Sequence, residues 1–305
     1  MIVCVGEILA DMIGEEKDGC MRYEQKAGGA PFNVACAAKK FGAQVAFVGS
    51  VGDDIIGDSL LSFAAERAFD GCYISKLPDK NTTLAFVSID GSGERQFCFY
   101  RKNTADSYLE EVPDDLLKSA DIVHIGSLML SETHGVEFVK RLIAEAKKYS
   151  DTISFDVNFR SDIFKNEQEA VAVYKTILPL ADIIKFSEDE IAVFGQDYVE
   201  TALSDKLVFT TLGSKGSRWA YKGRSGFVPS LKVRCVDTTG AGDAFYAGVL
   251  TKLEKKAVSA VSDEEFAQIL RLANVCGGLN TRGKGAIDNL PTPDEIQIKL
   301  KEYTA

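Results

Sequence analysis

The chain has 305 residues, 46% of them hydrophobic and 26% charged, an ordinary globular composition with room for a large core. Its formal net charge of −10 speaks against generic binding to nucleic acid or anionic membranes, which takes clustered Lys and Arg, but not against a small anionic ligand at a locally positive site. No stretch approaches the roughly 20 apolar residues of a membrane span.

From the N-terminus, residues 2–9 (IVCVGEIL) read as a buried strand rather than a signal peptide, since no basic segment precedes them and Glu7 and Asp11 interrupt the apolar run. Further strands are expected at 44–49, 121–126, 152–157, 182–186 and 207–211. Between them, 31–41, 57–68, 133–149, 166–179 and 188–194 carry apolar residues at helical spacing. In the first of these, Val34, Ala37, Ala38 and Phe41 make the stripe, Pro31 suits the first turn and Gly42 closes the helix. Alternation on this scale predicts an α/β fold with a mostly parallel sheet covered on both faces.

Two segments break the rhythm. Residues 82–101 alternate at period two around Asp90-Gly91-Ser92-Gly93, the pattern of an antiparallel hairpin. Residues 12–27 are too short and irregular for a βα unit. The two could pair into a small separate sheet or remain surface hairpins. No repeat or linker is visible, so one main domain over 1–305 is expected. Seven cysteines without a CxxC pair, and only two histidines, make a zinc cluster unexpected and fit reduced thiols in a cytoplasmic protein.

The densest chemistry lies at 237–248, DTTGAGDAFYAG. Val233–Val236 looks like the end of a strand. Gly240, Ala241 and Gly242 permit a sharp turn, and a helix with a small-residue face (Ala244, Ala247, Gly248) begins at Asp243. The first N–H groups of such a helix form an anion site, with Asp243 beside it. A carboxylate there could take a hydroxyl proton while the N–H groups hold phosphoryl oxygens, as phosphoryl transfer to an alcohol requires. The pattern alone fits equally well a carboxylate that only caps the helix, with Thr238 and Thr239 closing a turn. Neither GxxxxGK[ST] nor GxGxxG is present; Phe245 stands where the last glycine of the latter belongs.

DTTGAGDAFYAG resembles the C-terminal signature of the ribokinase-like (PfkB-type) carbohydrate kinases, and AGGAPFNVACAAKKFGAQVAFVGSVGDDIIG at 27–57 resembles their N-terminal signature. ADMIG at 10–14, FYRKNTADSYL at 99–109, DVNFR at 156–160 and TLGSKGS at 211–217 match as well, and the likeness spans essentially the whole chain. FYRKNTAD followed by DVNFR is most similar to the fructokinase branch. The resemblance implies a ribokinase-like fold with a small β-sheet lid, here about 12–27 and 82–101. It implies transfer of the γ-phosphoryl group of ATP to a sugar hydroxyl, most readily D-fructose to fructose 6-phosphate. A 2-keto-3-deoxygluconate kinase or a ribokinase is the alternative within the fold, and a non-catalytic sugar or nucleotide sensor the alternative outside it.

By the same resemblance Asp243 is the catalytic base, and Gly240, Ala241 and Gly242 form the anion hole. Asp11, Gly28, Gly29 and Asn33 hold the sugar. Arg101, Asn158 and Arg160 are further candidates for the acceptor or the phosphoryl group, and Lys102 a weaker one. Thr211, Gly213, Lys215 and Gly216 match the nucleotide loop, and Asn274 and Gly278 the helix along the adenine. The family's Asn-x-x-Glu motif, tied to Mg²⁺ and phosphate, reads Ser187-Glu188-Asp189-Glu190 here, so Glu190 is kept and Ser187 departs. Asp237, Thr239 and Gly285 match part of a K⁺ site. A base at a helix N-terminus is expected to have a depressed pKa. Partners are expected to be sugar and ATP, not nucleic acid or membrane, with a second copy of the chain on the lid sheet as a further option.

Overall fold

The computed structural model describes residues 1–89, 95–149 and 151–304. The strands are β1 (Ile2–Val5), β2 (Leu9–Lys17), β3 (Cys20–Gly28), β4 (Val45–Gly52), β5 (Gly71–Leu77), β6 (Leu84–Ile89), β7 (Arg95–Tyr100), β8 (Ile122–Ile125), β9 (Thr152–Asp156), β10 (Ile183–Ser187), β11 (Leu207–Thr211), β12 (Gly216–Tyr221) and β13 (Arg224–Pro229). The helices are α1 (Ala30–Lys40), α2 (Ile55–Ala65), α3 (Asp114–Lys118), α4 (Thr133–Lys147), α5 (Glu167–Ile177), α6 (Glu188–Phe194), α7 (Gln196–Ala202), α8 (Ala241–Leu253), α9 (Asp263–Asn280) and α10 (Pro293–Thr304).

Nine strands form one sheet in the order β13-β12-β11-β10-β9-β8-β1-β4-β5. It is parallel from β5 through β11 and ends in the antiparallel hairpin β12–β13. Side chains alternate across it, as a pleated strand requires. Ile2 and Cys4 enter the core shared with α1, α2, α8 and α9. Val3 and Val5 enter the opposite core, shared with α3, α4 and α5. A buried Phe32 anchors α1 in the first of these cores, its ring 5.0 Å from Phe47 and 6.0 Å from Phe69. Burying such a side chain contributes about 1.5–3 kcal/mol, more than helix propensity at any one position.

The expected strand 2–9 is two strands. The chain breaks at Gly6, whose φ is +149°, where a Cβ would lie 2.8 Å from Pro31 Cγ. Beyond the break, β2 leaves the large sheet and joins β3, β6 and β7 in a four-stranded sheet of order β3-β2-β6-β7. The two irregular excursions therefore do pair into a second sheet, joined by the parallel β2–β6 contact. The turn expected at Asp90-Gly91-Ser92-Gly93 lies outside the described residues. Val233–Val236 is not a strand; Val236 N donates to Thr281 O at 2.7 Å instead, so the segment is tied to the end of α9. Among the described residues no helix is long and apolar enough to cross a membrane.

The order of the large sheet reverses at β1, which lies between β4 and β8 although the latter is far away in sequence. Crevices at such switch points, outside the carboxyl ends of parallel strands, are where α/β sheets take ligands. The small sheet springs from that end of β1.

Candidate active site

A cavity of about 420 Å³ opens at this switch point, lined by Glu7, Leu9, Asp11, Gly29, Ala30, Asn33, Phe99, Leu128, Asn158, Arg160, Lys185, Thr238, Thr239, Gly240, Gly242 and Asp243. Two helix N-termini converge on it. Gly29, at φ +108°, is the N-cap of α1, and a Cβ there would sit 2.4 Å from Glu7 O. Gly240, in the left-handed conformation, is the N-cap of α8. From the first turns of these helices Asn33 and Asp243 meet: Asn33 Nδ2 donates to Asp243 Oδ2 at 2.8 Å.

The carboxyl of Asp243 titrates upward, to about 6, chiefly because burial penalises its charge and secondly because the Asp156 carboxylate is near. The Asn33 hydrogen bond and the cations Lys185 and Arg160 work against that shift. The expectation of a depressed pKa is thus corrected. Desolvation and a like charge outweigh the helix terminus, and the result is a stronger base.

Asp11 and Gly28 pack together: a Cβ on Gly28 would be 2.3 Å from Asp11 Oδ2, so only glycine leaves room for that carboxylate. Asn158, at φ +34°, holds a backbone conformation that few residues other than glycine adopt, and it lines the cavity beside Arg160. Gly242 lines it too, at the second position of α8, where N–H groups have no carbonyl one turn back within the helix. Ala241 differs from its neighbours. It is not in the lining, and its N–H donates to Thr238 O at 3.1 Å. Arg101 also lies outside this lining. Its guanidinium is buried, with Nε on Asp106 Oδ2 at 2.7 Å, one terminal nitrogen on Ser107 Oγ at 2.8 Å and the other on Ser131. A residue so committed braces the segment 101–107.

The nucleotide-loop candidates lie beyond β10 and β11. Ser187 and Thr211 are register partners at the ends of those strands. Ser187 caps α6, accepting from Glu190 N at 3.2 Å, while Glu190 Oε2 accepts from Ser187 N at 2.6 Å. Glu190 Oε1 accepts from Phe159 N at 2.7 Å, which brings 156–160 against α6. Gly213 and Lys215 form a short turn, and Lys215 pairs with Glu188 at 2.9 Å. Gly216, at φ +130°, faces Val228 O, where a Cβ would come within 2.2 Å. Asn274 is engaged with protein on both sides of its amide: Oδ1 accepts from Ser217 Oγ at 2.9 Å and Nδ2 donates to Pro229 O at 3.1 Å. Gly278 abuts Leu231 and Val233. Asp237 draws two other candidates together, since Oδ1 accepts from Thr239 N at 2.7 Å and Oδ2 from Gly285 N at 2.9 Å.

Two charged groups in the lining escaped the sequence reading of the site. Lys185 interrupts the apolar run DIIKF and is buried against Asp156 on the neighbouring strand. Glu7 interrupts IVCVGEIL and is fully buried, and neither carboxylate oxygen has a hydrogen-bond partner among the described residues. In each case the signal was a charge inside a strand that is otherwise apolar. Burial raises the Glu7 pKa from 4.5 to about 8, so it is largely neutral near pH 7. A raised acid pKa gives stability that is full below 4.5 and is lost as pH rises through 8. Glu7→Gln is therefore expected to match the native protein in acid and to exceed it increasingly in stability between pH 5 and pH 8.5; thermal unfolding across that range checks it.

The model of the pfkB family carbohydrate kinase matches residues 1–293. A protein of Arabidopsis thaliana named probable fructokinase-4 is 36% identical over 315 residues, covering 99% of this chain and 97% of that one. The crystal structure of a fructokinase with bound ATP from Xylella fastidiosa superposes with a TM-score of 0.91 at 29% identity, over 100% of this chain and 99% of the other. A double-mutant fructokinase from Vibrio cholerae, bound to fructose, ADP and potassium ion, superposes with a TM-score of 0.86 at 29% identity, over 98% and 97% of the two chains. With both signature segments meeting at one cavity and a match this long, this chain belongs to the pfkB family of carbohydrate kinases.

Proposed function

We propose that the protein is a fructokinase that transfers the γ-phosphoryl group of ATP to D-fructose, giving fructose 6-phosphate and ADP. The observation that carries this reading is the contact between Asn33 and Asp243 at the mouth of α8, in one cavity with Asp11. It joins a polyol-binding set to a base and to uncommitted helix N–H groups. The relatives and the superposed structures named above support fructose and ATP as the substrates.

In this mechanism Asp11, Asn33 and the Gly28-Gly29 turn hold the sugar. Asp243 accepts the proton of the acceptor hydroxyl, whose oxygen bonds to the γ-phosphorus. The bond from that phosphorus to the β–γ bridging oxygen breaks, and ADP leaves with the electron pair. Gly240 and Gly242 cradle the travelling group, with Ala241 shaping the turn, and Arg160 and Asn158 flank it. The loop Thr211–Gly216, Ser187, Asn274 and Gly278 border the nucleotide. The chain works as one domain with the small sheet as its lid, and closure excludes water that would otherwise take the phosphoryl group.

Mg²⁺ with ATP would neutralise developing charge on the phosphates. Among the described residues no group of three His, Cys, Asp or Glu side chains could hold a metal. Glu190 fits an outer role, since each of its oxygens accepts one backbone N–H and keeps a lone pair for an ion-bound water. Asp237, Thr239 and Gly285 fit a K⁺ site beside the anion hole by their closeness. The exposed side chains Met21, Tyr23 and Tyr100 on the small sheet fit pairing with a second copy; sedimentation as a monomer at micromolar concentration would rule that out.

Coupled ADP release across a sugar panel tests the reading. Fructose is expected to give the highest kcat/KM, whereas preference for ribose or 2-keto-3-deoxygluconate would overturn it and no turnover with any sugar would favour a sensor. With Asp243 as base, kcat/KM is expected to fall as pH drops below about 6, tenfold per unit, because the protonated carboxyl cannot take the hydroxyl proton. A profile flat down to pH 4.5 would remove Asp243 from that role.

A further inference from the structure

Lys185 is a buried cation in the cavity lining for which the mechanism above has no task. Its ammonium meets Asp156 Oδ1 at 2.8 Å and Oδ2 at 2.9 Å, and both side chains are almost wholly shielded from solvent. A buried ion pair of this kind seldom improves stability over an apolar pair of the same volume. Its position suggests a different use. Lys185 lines the cavity, and a Cβ built on Gly242 would lie 3.4 Å from Nζ, so the ammonium rests against the first turn of α8. An ammonium has three N–H donors. Asp156 takes two, and Nζ meets no further protein acceptor among the described residues. Burial works against its charged form, but three carboxylates, Asp156, Glu190 and Asp243, together outweigh it and keep the ammonium charged.

We propose that Lys185 is a catalytic residue whose remaining N–H donates to a γ-phosphoryl oxygen of ATP at the Gly242 turn, with Asp156 as the positioning residue that aims it. The inference rests on the kinase reading and deepens it. The base one residue beyond Gly242 meets the acceptor hydroxyl, so the phosphorus under attack must lie between that hydroxyl and the turn. Its oxygens then come beside Nζ. A carboxylate base and a phosphoryl group repel each other, and a fixed cation between them offsets that repulsion without any reorganisation during the reaction. A lysine suits the place, being a compact point charge, whereas a forked guanidinium would need more room. Two donors spent on Asp156 leave the third with a defined direction.

The test compares native protein with Lys185→Met and with the double variant Lys185→Met/Asp156→Asn, which leaves no unpaired buried carboxylate. Binding of AMP-PNP and of ADP is read by calorimetry, and turnover by ADP release. In the double variant kcat is expected to drop by about 10²-fold or more, with fructose KM and ADP affinity within about threefold and AMP-PNP affinity lowered by roughly tenfold, as loss of one charge-assisted contact to the γ-phosphate predicts. A folded double variant with turnover within about threefold of native would overturn the proposal and leave the pair as packing. Equal loss of ADP and AMP-PNP affinity would overturn it as well, since the contact would then not be to the γ-phosphate. Failure of the kinase reading looks different, because native protein would then release no ADP with any sugar.

Discussion

Asp243→Asn is expected to lower fructokinase turnover by about 10²–10⁴-fold, the range for removing a positioned general base, and to leave fructose affinity within a few-fold. Asn has the shape of Asp, and its amide oxygen can still accept from Asn33 Nδ2, the contact now made at 2.8 Å. Alignment of α1 on α8 is therefore kept, and so is the sugar pocket that includes Asp11. What disappears is the only function an amide cannot perform at this point, acceptance of the hydroxyl proton. A carboxylate that merely stabilised the helix would behave otherwise: its loss would cost about 0.3–1 kcal/mol of stability and little turnover. The structure favours the first account, since Oδ2 points to a side chain on another helix and the carboxyl is held near pKa 6 by burial and by Asp156. ADP release with fructose, alongside calorimetric titration of fructose, separates the two. Turnover within tenfold of native would end the assignment of Asp243 as base.

The parallel core was legible in the sequence because its signals are local. Strands such as Ile183–Ser187 and Leu207–Thr211 are short apolar runs, and α1 declares itself through Pro31 and the stripe Val34, Ala37 and Ala38, all of which are buried. Strand β5 gave no such signal. It is the edge of the large sheet and half-exposed along its length, so its residues follow neither the buried nor the alternating pattern. The hairpin β12–β13 was missed for a related reason, its side chains being buried on one face only and interrupted by the turn at Lys222-Gly223. The break at Gly6 depends on a neighbour, Pro31, that is distant in the chain, and no window of sequence contains both.

The candidate site divides in the same way. Motif residues on glycine turns could be located one by one, and Asp11, Gly29, Asn33, Asn158, Arg160, Gly240, Gly242 and Asp243 indeed line one cavity. Their electrostatics could not be read. The Asp156–Lys185 pair forms across neighbouring strands 29 positions apart, and after burial, the chief cause, it is Asp156 that raises the Asp243 pKa while Lys185 opposes the rise. Arg101 illustrates the converse. The motif FYRKNTAD made it a candidate for the acceptor or the phosphoryl group, and only the fold reveals that Asp106, Ser107 and Ser131 hydrogen-bond with its guanidinium.

The turn that presents Gly242 and Asp243 has little tolerance, and Gly240→Ala is expected to show it. Gly240 sits at φ +71°, where an L side chain costs about 1–2 kcal/mol. The added Cβ would lie 2.6 Å from Ala286 Cα and Cβ and 2.9 Å from Ala286 O, contacts with backbone that cannot rotate away. Nor can the opposing segment retreat easily. Asn280 Nδ2 donates to Thr239 O and to Ala286 O, each at 3.2 Å, and Asp237 holds Gly285 N, so both walls are tied to one another. Overpacking of this kind adds about 1–3 kcal/mol. The substitution should therefore destabilise the fold by about 2–5 kcal/mol. Any relief by movement of the turn would displace Asp243, and a shift on the order of 1 Å costs roughly 10²-fold in rate. Gly42→Ala is the matched control: its φ is +95°, no atom of the described residues lies within 4 Å of the new Cβ, and it is at the far end of α1. It carries the conformational cost alone and should leave turnover untouched. Denaturant unfolding and ADP release on the two variants would decide the point. Equal stability losses with full activity in both would mean that the contact with Ala286 is not what fixes the anion-hole turn.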